Sequence, residues 1–308
     1  MTDTAARDGA HLAQFNIGTL LQPLDHSGTA GFVGGLEEIN ALAERSPGYV
    51  WRLKDEHGDA TSINVYPDPL TIVNLTVWES PEALREFVYR SHHRDFLRRR
   101  GEWFVPGSPW AMWWIPAGTI PTLDDAKARL EFFAEFGPSP FAFRNATEQP
   151  VLTLRRHELA DEVVQAMLQR LNTELKGATP KGGSNFWHID DEQVADDNGA
   201  FYVAWLDGRP AACGAWRRID DIAHRPGTAE VKRMWADPEL RGTRLGAAML
   251  TTLEAAARHQ GITELRLETG EYLANAVGLY RRFGFRACEP WGDYVGVPLS
   301  YTMSKPLA

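Results

Sequence analysis

Residues 229–246, AEVKRMWADPELRGTRLG, constrain what this chain can fold into more than any other stretch. They read as a strand, a short turn rich in glycine and arginine, and the start of a helix. The helix is expected because Ala247, Ala248, Met249, Leu250, Leu253, Ala256 and Ala257 put apolar residues on one face at helical period. A helix that begins there points its first unpaired backbone N–H groups at whatever lies over residues 241–246, with the positive end of its dipole behind them. Those are the elements of a diphosphate site. Ordinary βα turns use glycine as well, so the weight falls on what comes next.

An alternating strand follows at residues 264–269 (ELRLET), and then a helix that closes on Gly278-Leu279-Tyr280-Arg281-Arg282-Phe283-Gly284-Phe285. The order strand, R-G-x-x-x-G, helix, strand, L-Y-x-x-F-G-F resembles the GNAT superfamily of N-acetyltransferases, over roughly residues 149–308. The resemblance departs from the family pattern at two places. The family loop usually runs R/Q-x-x-G-x-G/A, and Arg244 stands where its first glycine is expected. An amide in right-handed geometry needs no glycine, so the turn is expected to survive, with the Arg244 side chain pairing with the diphosphate. The asparagine that often precedes the tyrosine-bearing helix falls on Leu273, and its contact is lost.

The resemblance implies acetyl-CoA as co-substrate. Met234, Trp235 and Ala236 would run alongside the pantetheine arm, and Leu240, Arg241, Gly242, Thr243, Arg244, Leu245 and Gly246 would hold the diphosphate. Glu230 matches the position where some family members carry a glutamate base. The acceptor amine is protonated at neutral pH and must lose a proton before attacking the thioester, and a carboxylate in an apolar cleft suits that task. The other reading is a strand-edge glutamate paired with Lys232 or Arg233 in solvent. Tyr280 matches the tyrosine that hydrogen-bonds the sulfur and protonates the leaving thiolate. It would also pack its helix onto the sheet. Asp293 and Tyr294, just before the last strand (299–304), are expected to border the acceptor pocket. Acidic residues Asp190, Asp191, Glu192, Asp196 and Asp197 read either as an attractor of the amine or as a solvated loop.

Composition fits a two-domain protein. A chain of 308 residues is at the usual limit for one core, and 44% apolar with 24% charged residues supplies ample core material. The net charge of −9 argues against nucleic acid as a partner. Cys213 and Cys288 have no metal-ligand spacing and read as reduced structural thiols, with no metal expected. The polar amino terminus lacks a signal-peptide core, and no apolar run approaches a membrane span, so a cytoplasmic protein without a membrane partner is expected.

The first domain is placed at residues 1–148 and the second at 149–308, around the turn-like segment 145–150. Strands are expected at 11–20, 49–53, 70–78 and 110–116, and helices over 32–43, from Pro81 with Ser80 as N-cap, and over 123–136. This β-α-β-β-α-β order is ferredoxin-like. Ser46–Leu53 (SPGYVWRL), VWES at 77–80, FVYRSHH at 87–93 and WWIPAG at 113–118 resemble an uncharacterised family related to the antibiotic-biosynthesis-monooxygenase-like, dimeric α/β-barrel group. That implies a homodimer through the open sheet face. Trp51, Trp78, Trp103, Trp110, Trp113 and Trp114 read either as an aromatic pocket or as core and dimer-seam filling. His92-His93 cannot chelate one metal as neighbours on a helix, and Arg98-Arg99-Arg100 reads as a solvated face.

The expected fold class is therefore α+β: a ferredoxin-like domain followed by a GNAT-type mixed-sheet domain. The expected function is transfer of acetyl from acetyl-CoA to a primary amine of a small molecule or peptide by direct attack. Two alternatives stand beside it: a non-catalytic acyl-CoA sensor, and an amino-terminal oxygenase or haem-type activity fused to a GNAT domain.

Overall fold

The computed structural model describes residues 9–90, 92–146, 149–181, 188–220 and 225–307. The backbone divides into two compact units, Met1–Leu152 and Thr153–Ala308.

In the first unit the strands are β1 (Ala10–Thr19), β2 (Tyr49–Arg52), β3 (Thr71–Trp78) and β4 (Trp110–Pro116). The helices are α1 (Ala30–Val33), α2 (Leu36–Arg45), α3 (Pro81–Arg90), α4 (His93–Arg99) and α5 (Leu123–Phe136). The sheet is antiparallel in the order β2-β3-β1-β4. Local chemistry starts its helices where the sequence places them. Ser80 Oγ accepts the Ala83 N–H at 3.1 Å, and Thr122 Oγ1 accepts that of Asp125 at 3.1 Å. The expected helix over 32–43 is interrupted at Gly34-Gly35 between α1 and α2.

Four of the six tryptophans weighed as pocket or core are buried: Trp78, Trp103, Trp113 and Trp114 are at most 2% exposed. Trp78 stacks on Phe87 with ring centroids 5.1 Å apart. Arg129 lies buried over the Trp113 ring, paired with Asp125 at 3.0 Å. Across β1 and β3 runs a polar row, in which Asn16 Oδ1 accepts from Gln14 and Asn74 and Thr76 donates to Gln14. His92 is exposed and His93 half-buried against Phe87. Arg98 and Arg99 are exposed and pair with Asp95 and Glu102.

The second unit contains β5 (Leu152–His157), α6 (Glu162–Ala178), α7 (Asp191–Val194), β6 (Gly199–Leu206), β7 (Arg209–Arg218), β8 (Thr228–Ala236), α8 (Leu245–His259), β9 (Glu264–Gly270), α9 (Ala274–Arg282), β10 (Arg286–Ala287) and β11 (Ser300–Pro306). The mixed sheet runs β10-β11-β9-β8-β7-β6-β5. Asp207 and Gly208, both at positive φ (48° and 76°), close the β6–β7 hairpin as the Asp-Gly pair predicts. A core of Val164, Met167, Leu171, Phe201, Cys213 and Trp235 ties α6 to the sheet. On the other side α8 buries Leu245, Met249, Leu250 and Leu253.

Two features of this sheet position the site. Strands β8 and β9 are parallel and paired from Thr228↔Glu264 to Val231↔Leu267, yet β8 continues to Ala236 and β9 to Gly270. Beyond that last pair the strands part. The second feature is a bulge: the β7–β8 register shifts between Cys213 and Ala215, and Arg233 takes a φ of 58°. Gly214 faces it, and a Cβ there would meet Met234 Sδ at 2.7 Å and Met249 Cγ at 3.0 Å. Only glycine fits so close an approach.

A candidate acyl-transfer site where two parallel strands part

The parting strands open a cleft. From β8 it is lined by Glu230, Lys232, Arg233 and Met234, and from β9 by Glu268, Thr269 and Gly270. Leu171 and Leu175 of α6, Tyr280 of α9, and Tyr272 and Tyr294 complete it.

Glu230 is fully buried at the cleft floor. Cross-strand pairing sets Arg217 opposite it, and the Arg217 Nε and Nη2 reach Glu230 Oε2 at 2.8 and 2.7 Å. Tyr294 OH donates to Oε1 at 2.5 Å and itself accepts from Lys232 Nζ at 2.9 Å. Lys232 Nζ stands 3.6 Å from the same carboxylate oxygen. Glu230 is thus neither a solvent-edge glutamate nor one with open lone pairs, because two cations and a phenol hold it. Burial and the Glu230 charge raise the Tyr294 phenol far above its usual range, so it stays a donor. Burial pulls the Lys232 ammonium down, against the pull of Glu230.

Tyr280 projects from α9 into the cleft, 7% exposed. Burial, then the nearby Glu268 charge, push its phenol well above the ordinary range. It therefore remains protonated at any working pH. Glu268 is half-buried on the facing strand and accepts from Ser300 Oγ at 2.9 Å. Asp293 lies on the surface and does not line the cleft, whereas its neighbour Tyr294 does. The reason is local: the 3-10 turn at Gly292–Tyr294 sets successive side chains about 120° apart, so neighbours face different directions.

The acidic residues also fall away from the cleft. Asp190 caps α7 in a capping box with Gln193, and Asp191 and Glu192 form that helix's first turn. The Gly, Pro, Lys, Thr and Ser content of residues 177–185 reads as a mobile loop, but Gly177 and Ala178 belong to the end of α6. Residues 182–185 of that segment lie outside the described residues.

The β8–α8 connection has the geometry of an anion cradle. The N-cap of α8 makes no side-chain cap, and the helical bonding starts with Ala248 N–H to Arg244 O at 2.9 Å. The amides of Leu245, Gly246 and Ala247 precede it in the first turn, where the helix itself supplies no acceptors. A Cβ on Gly246 would meet only Leu279 Cδ2 at 3.5 Å, so the space beside this residue is open. These features fit a bound diphosphate.

The loop differs from expectation at Arg244, which is left-handed (φ 70°, ψ 15°) instead of right-handed. The chain must reverse sharply from Gly242, at φ 89°, into α8, and that position then carries the strain that a glycine would avoid. Arg241 is engaged within the protein. Its Nη2 contacts both Glu174 oxygens at 2.6 and 2.7 Å, and its Nε donates to Ala236 O at 3.2 Å. Thr243 Oγ1 donates to Leu240 O at 2.6 Å. Trp235 is buried, with Nε1 on Glu174 Oε2 at 2.9 Å and Arg170 stacked 4.6 Å over its ring. Beyond Val231 the edge of β8 that would face β9 is unpaired, which leaves the backbone of Met234 open to an extended ligand.

The sequence reading does not reach Arg217, Glu268 or Asn172, and it names Lys232 and Arg233 only as solvent partners of Glu230, whereas Lys232 stands beside it in the cleft. Alternation from Glu230 places Lys232 on the same face, a signal available in the sequence. Arg217 and Glu268 depend on strand register, which is not.

The chain belongs to the GNAT family of acetyltransferases through its carboxy-terminal half, where residues 155–285 match the Acetyltransferase (GNAT) family. It is 34% identical over 158 residues to the IAA acetyltransferase of Azospirillum brasilense, an alignment covering 51% of this chain and 99% of that relative. It is also 34% identical over 109 residues to the uncharacterized N-acetyltransferase YsnE of Bacillus subtilis (strain 168), covering 35% of this chain and 69% of the relative. Among solved structures, an acetyltransferase from Streptococcus agalactiae aligns at 23% identity and a TM-score of 0.41, over 51% of this chain and 98% of that one. Residues 11–158 match a domain of unknown function, DUF3291. The GNAT family uses acyl-CoA as co-substrate, and the protein is an acyltransferase by family. Among the described residues no helix is long and apolar enough to cross a membrane.

Proposed function

We propose that the second unit transfers acetyl from acetyl-CoA to a primary amine within the β8–β9 cleft. The observation that carries this reading is the continuity of parts in one unit: an uncapped helix start at Leu245–Ala247, an unpaired strand edge at Met234, and a cleft holding Tyr280 and Glu268. The amides of α8 and the loop residues 240–246 hold the diphosphate, and the Met234 backbone holds the pantetheine arm. Bound acetyl-CoA supplies an activated carbonyl and a thiolate leaving group.

Tyr280, kept protonated by burial, donates a hydrogen bond where negative charge grows on the sulfur. Glu268, on the wall opposite β8, takes the proton that the ammonium must lose. Glu230 was the sequence candidate for that step. In this reading it is a positioning residue, since Arg217, Tyr294 and Lys232 already occupy its carboxylate oxygens. Tyr294 and Lys232 are thereby fixed at the cleft wall. No covalent acetyl-enzyme is required. Cys213 is buried, its thiol pushed up to about 12 by burial against the pull of Arg233.

For the first unit we propose a ferredoxin-like domain that pairs two copies of the chain in the cytoplasm. The β-α-β-β-α-β order and the strand order β2-β3-β1-β4 support the fold. Light scattering on the purified chain tests the pairing, and a monomer at micromolar concentration refutes it.

The decisive experiment for acetyl transfer is calorimetric titration with acetyl-CoA of the wild type beside Gly246→Trp, followed by thiol release across a panel of amines. Binding lost in the variant and turnover by the wild type are expected. Tyr280→Phe should lower kcat about 100-fold with an unchanged acetyl-CoA Kd. An equal loss in Kd would remove Tyr280 from the chemistry.

A further inference from the structure

Arg233 is the least compensated charge in the cleft. Its backbone sits at φ 58° in the β8 bulge, a conformation that non-glycine residues adopt only when the surroundings impose it. The residue is 8% exposed and lines the cleft. Of its five N–H donors, Nη2 reaches Asn172 Oδ1 on α6 at 2.5 Å. Its buried Nε has no hydrogen-bond partner among the described residues. No described carboxylate forms an ion pair with it, and Asn172 is neutral. A buried guanidinium in that condition is costly unless something supplies a counter-charge. The carboxylates that share the cleft are placed elsewhere: Glu230 is held by Arg217 and Tyr294, and Glu268 stands across on β9. Burial also opposes its charge, yet an arginine stays protonated, so the tension is relieved by an anion and not by proton loss.

We propose that Arg233 seats a carboxylate of the acceptor, so that the amine acetylated in this cleft belongs to an amino acid. The identification of the amine rests on the acetyl-transfer reading above. The two walls match a zwitterion. The cation on β8 meets the carboxylate, the carboxylate of Glu268 on β9 meets the ammonium, and Leu171, Leu175 and Tyr272 offer apolar surface to a side chain. An anion on Arg233 could also come from the phosphates of the co-substrate, and the test separates the two sources.

Thiol release would be measured for phenylalanine, leucine and lysine, each against its decarboxylated amine, in wild type, Arg233→Gln and Asn172→Asp. In parallel, 3-phenylpropionate would be titrated by calorimetry, which needs no turnover. The wild type should favour amino acids over the matching amines by about 10- to 100-fold in kcat/KM, the range of a charge-assisted hydrogen bond converted to a rate ratio. Arg233→Gln should bring that ratio close to one, with the acetyl-CoA Kd changed by less than about twofold. Asn172→Asp places a carboxylate beside the guanidinium, so it should melt higher than the wild type and bind no 3-phenylpropionate. Equal turnover of amines without a carboxylate by the wild type would overturn the proposal while acetyl transfer stands. So would an Arg233→Gln variant that loses acetyl-CoA affinity in place of carboxylate discrimination. If no amine is turned over, acetyl transfer fails, and 3-phenylpropionate still decides the site. Binding by the wild type that is lost in both variants supports the Arg233 seat, and no binding overturns it.

Discussion

Arg244 holds a left-handed backbone at the head of α8, where its Cβ crowds the following carbonyl oxygen at a cost of about 1–2 kcal/mol. Arg244→Gly removes that crowding and returns part of the gain as unfolded-state entropy. The variant should be more stable by about 1 kcal/mol in denaturant titration. If the guanidinium also meets the diphosphate, its acetyl-CoA Kd should rise about tenfold with a shallower salt dependence, and an unchanged Kd would leave Arg244 as strain alone. Glu230 and Glu268 separate in the same way. Glu230→Gln leaves Arg217 and Lys232, 14% and 8% exposed, without their shared carboxylate, so a stability loss of about 3 kcal/mol is expected. Glu268→Gln should melt close to wild type and lose turnover; the reverse pattern would exchange the two roles. At this scale the sequence was informative about identity and uninformative about partners. Glu230 and Tyr280 stood out by motif and Tyr294 by its place before the last strand, and all three line the cleft. That Glu230 also meets Arg217 and Tyr294 follows from the β7–β8 register and the turn before β11, neither of which a local pattern encodes.

The connection between β8 and α8 is anchored from outside itself, by Glu174 of α6 on Arg241 and by Trp235 on Glu174. Burial pushes the Glu174 carboxyl up, but the hydrogen bonds from Arg241 and Trp235 and the charges of Arg241 and Arg170 outweigh it and hold it below 4.5. A carboxylate lowered on folding stabilises fully above its unfolded value and loses that contribution as pH falls through the lower folded value. Acetyl-CoA affinity should therefore weaken as pH falls below about 4.5, and Glu174→Gln should reproduce the weakened state at neutral pH, about three- to tenfold in Kd. Its effect on melting should be small, because the pair is 47% and 39% exposed. An affinity flat across that range would detach the anchor from binding. Elements with local punctuation were legible, such as α3 behind Ser80-Pro81, α5 behind Thr122, and the hairpin at Asp207-Gly208. The Arg233 bulge was not, because it answers to a steric demand from Gly214, Met234 and Met249, which come from three separate elements. The left-handed turn into α8 escaped for a related reason, since nothing in RGTRLG fixes the sign of φ at its second arginine.

Each of the two units has its own sheet and its own buried residues. Scanning calorimetry of the whole chain should accordingly resolve two transitions. Saturating acetyl-CoA should move only one of them, by about 2.7 kcal/mol at a ligand concentration 100 times Kd. A single transition that shifts as a whole would mean that the units unfold together. The chain also carries a practical benefit for anyone following the reaction by colour. Its two sulfhydryls are Cys213, buried with a thiol near 12, and Cys288, half-buried and raised by burial. Thiol reagents act on the thiolate, so both react slowly at neutral pH. A disulfide dye in the cuvette should then report the free coenzyme thiol against a low, steady protein background, without blocking or mutating a single residue.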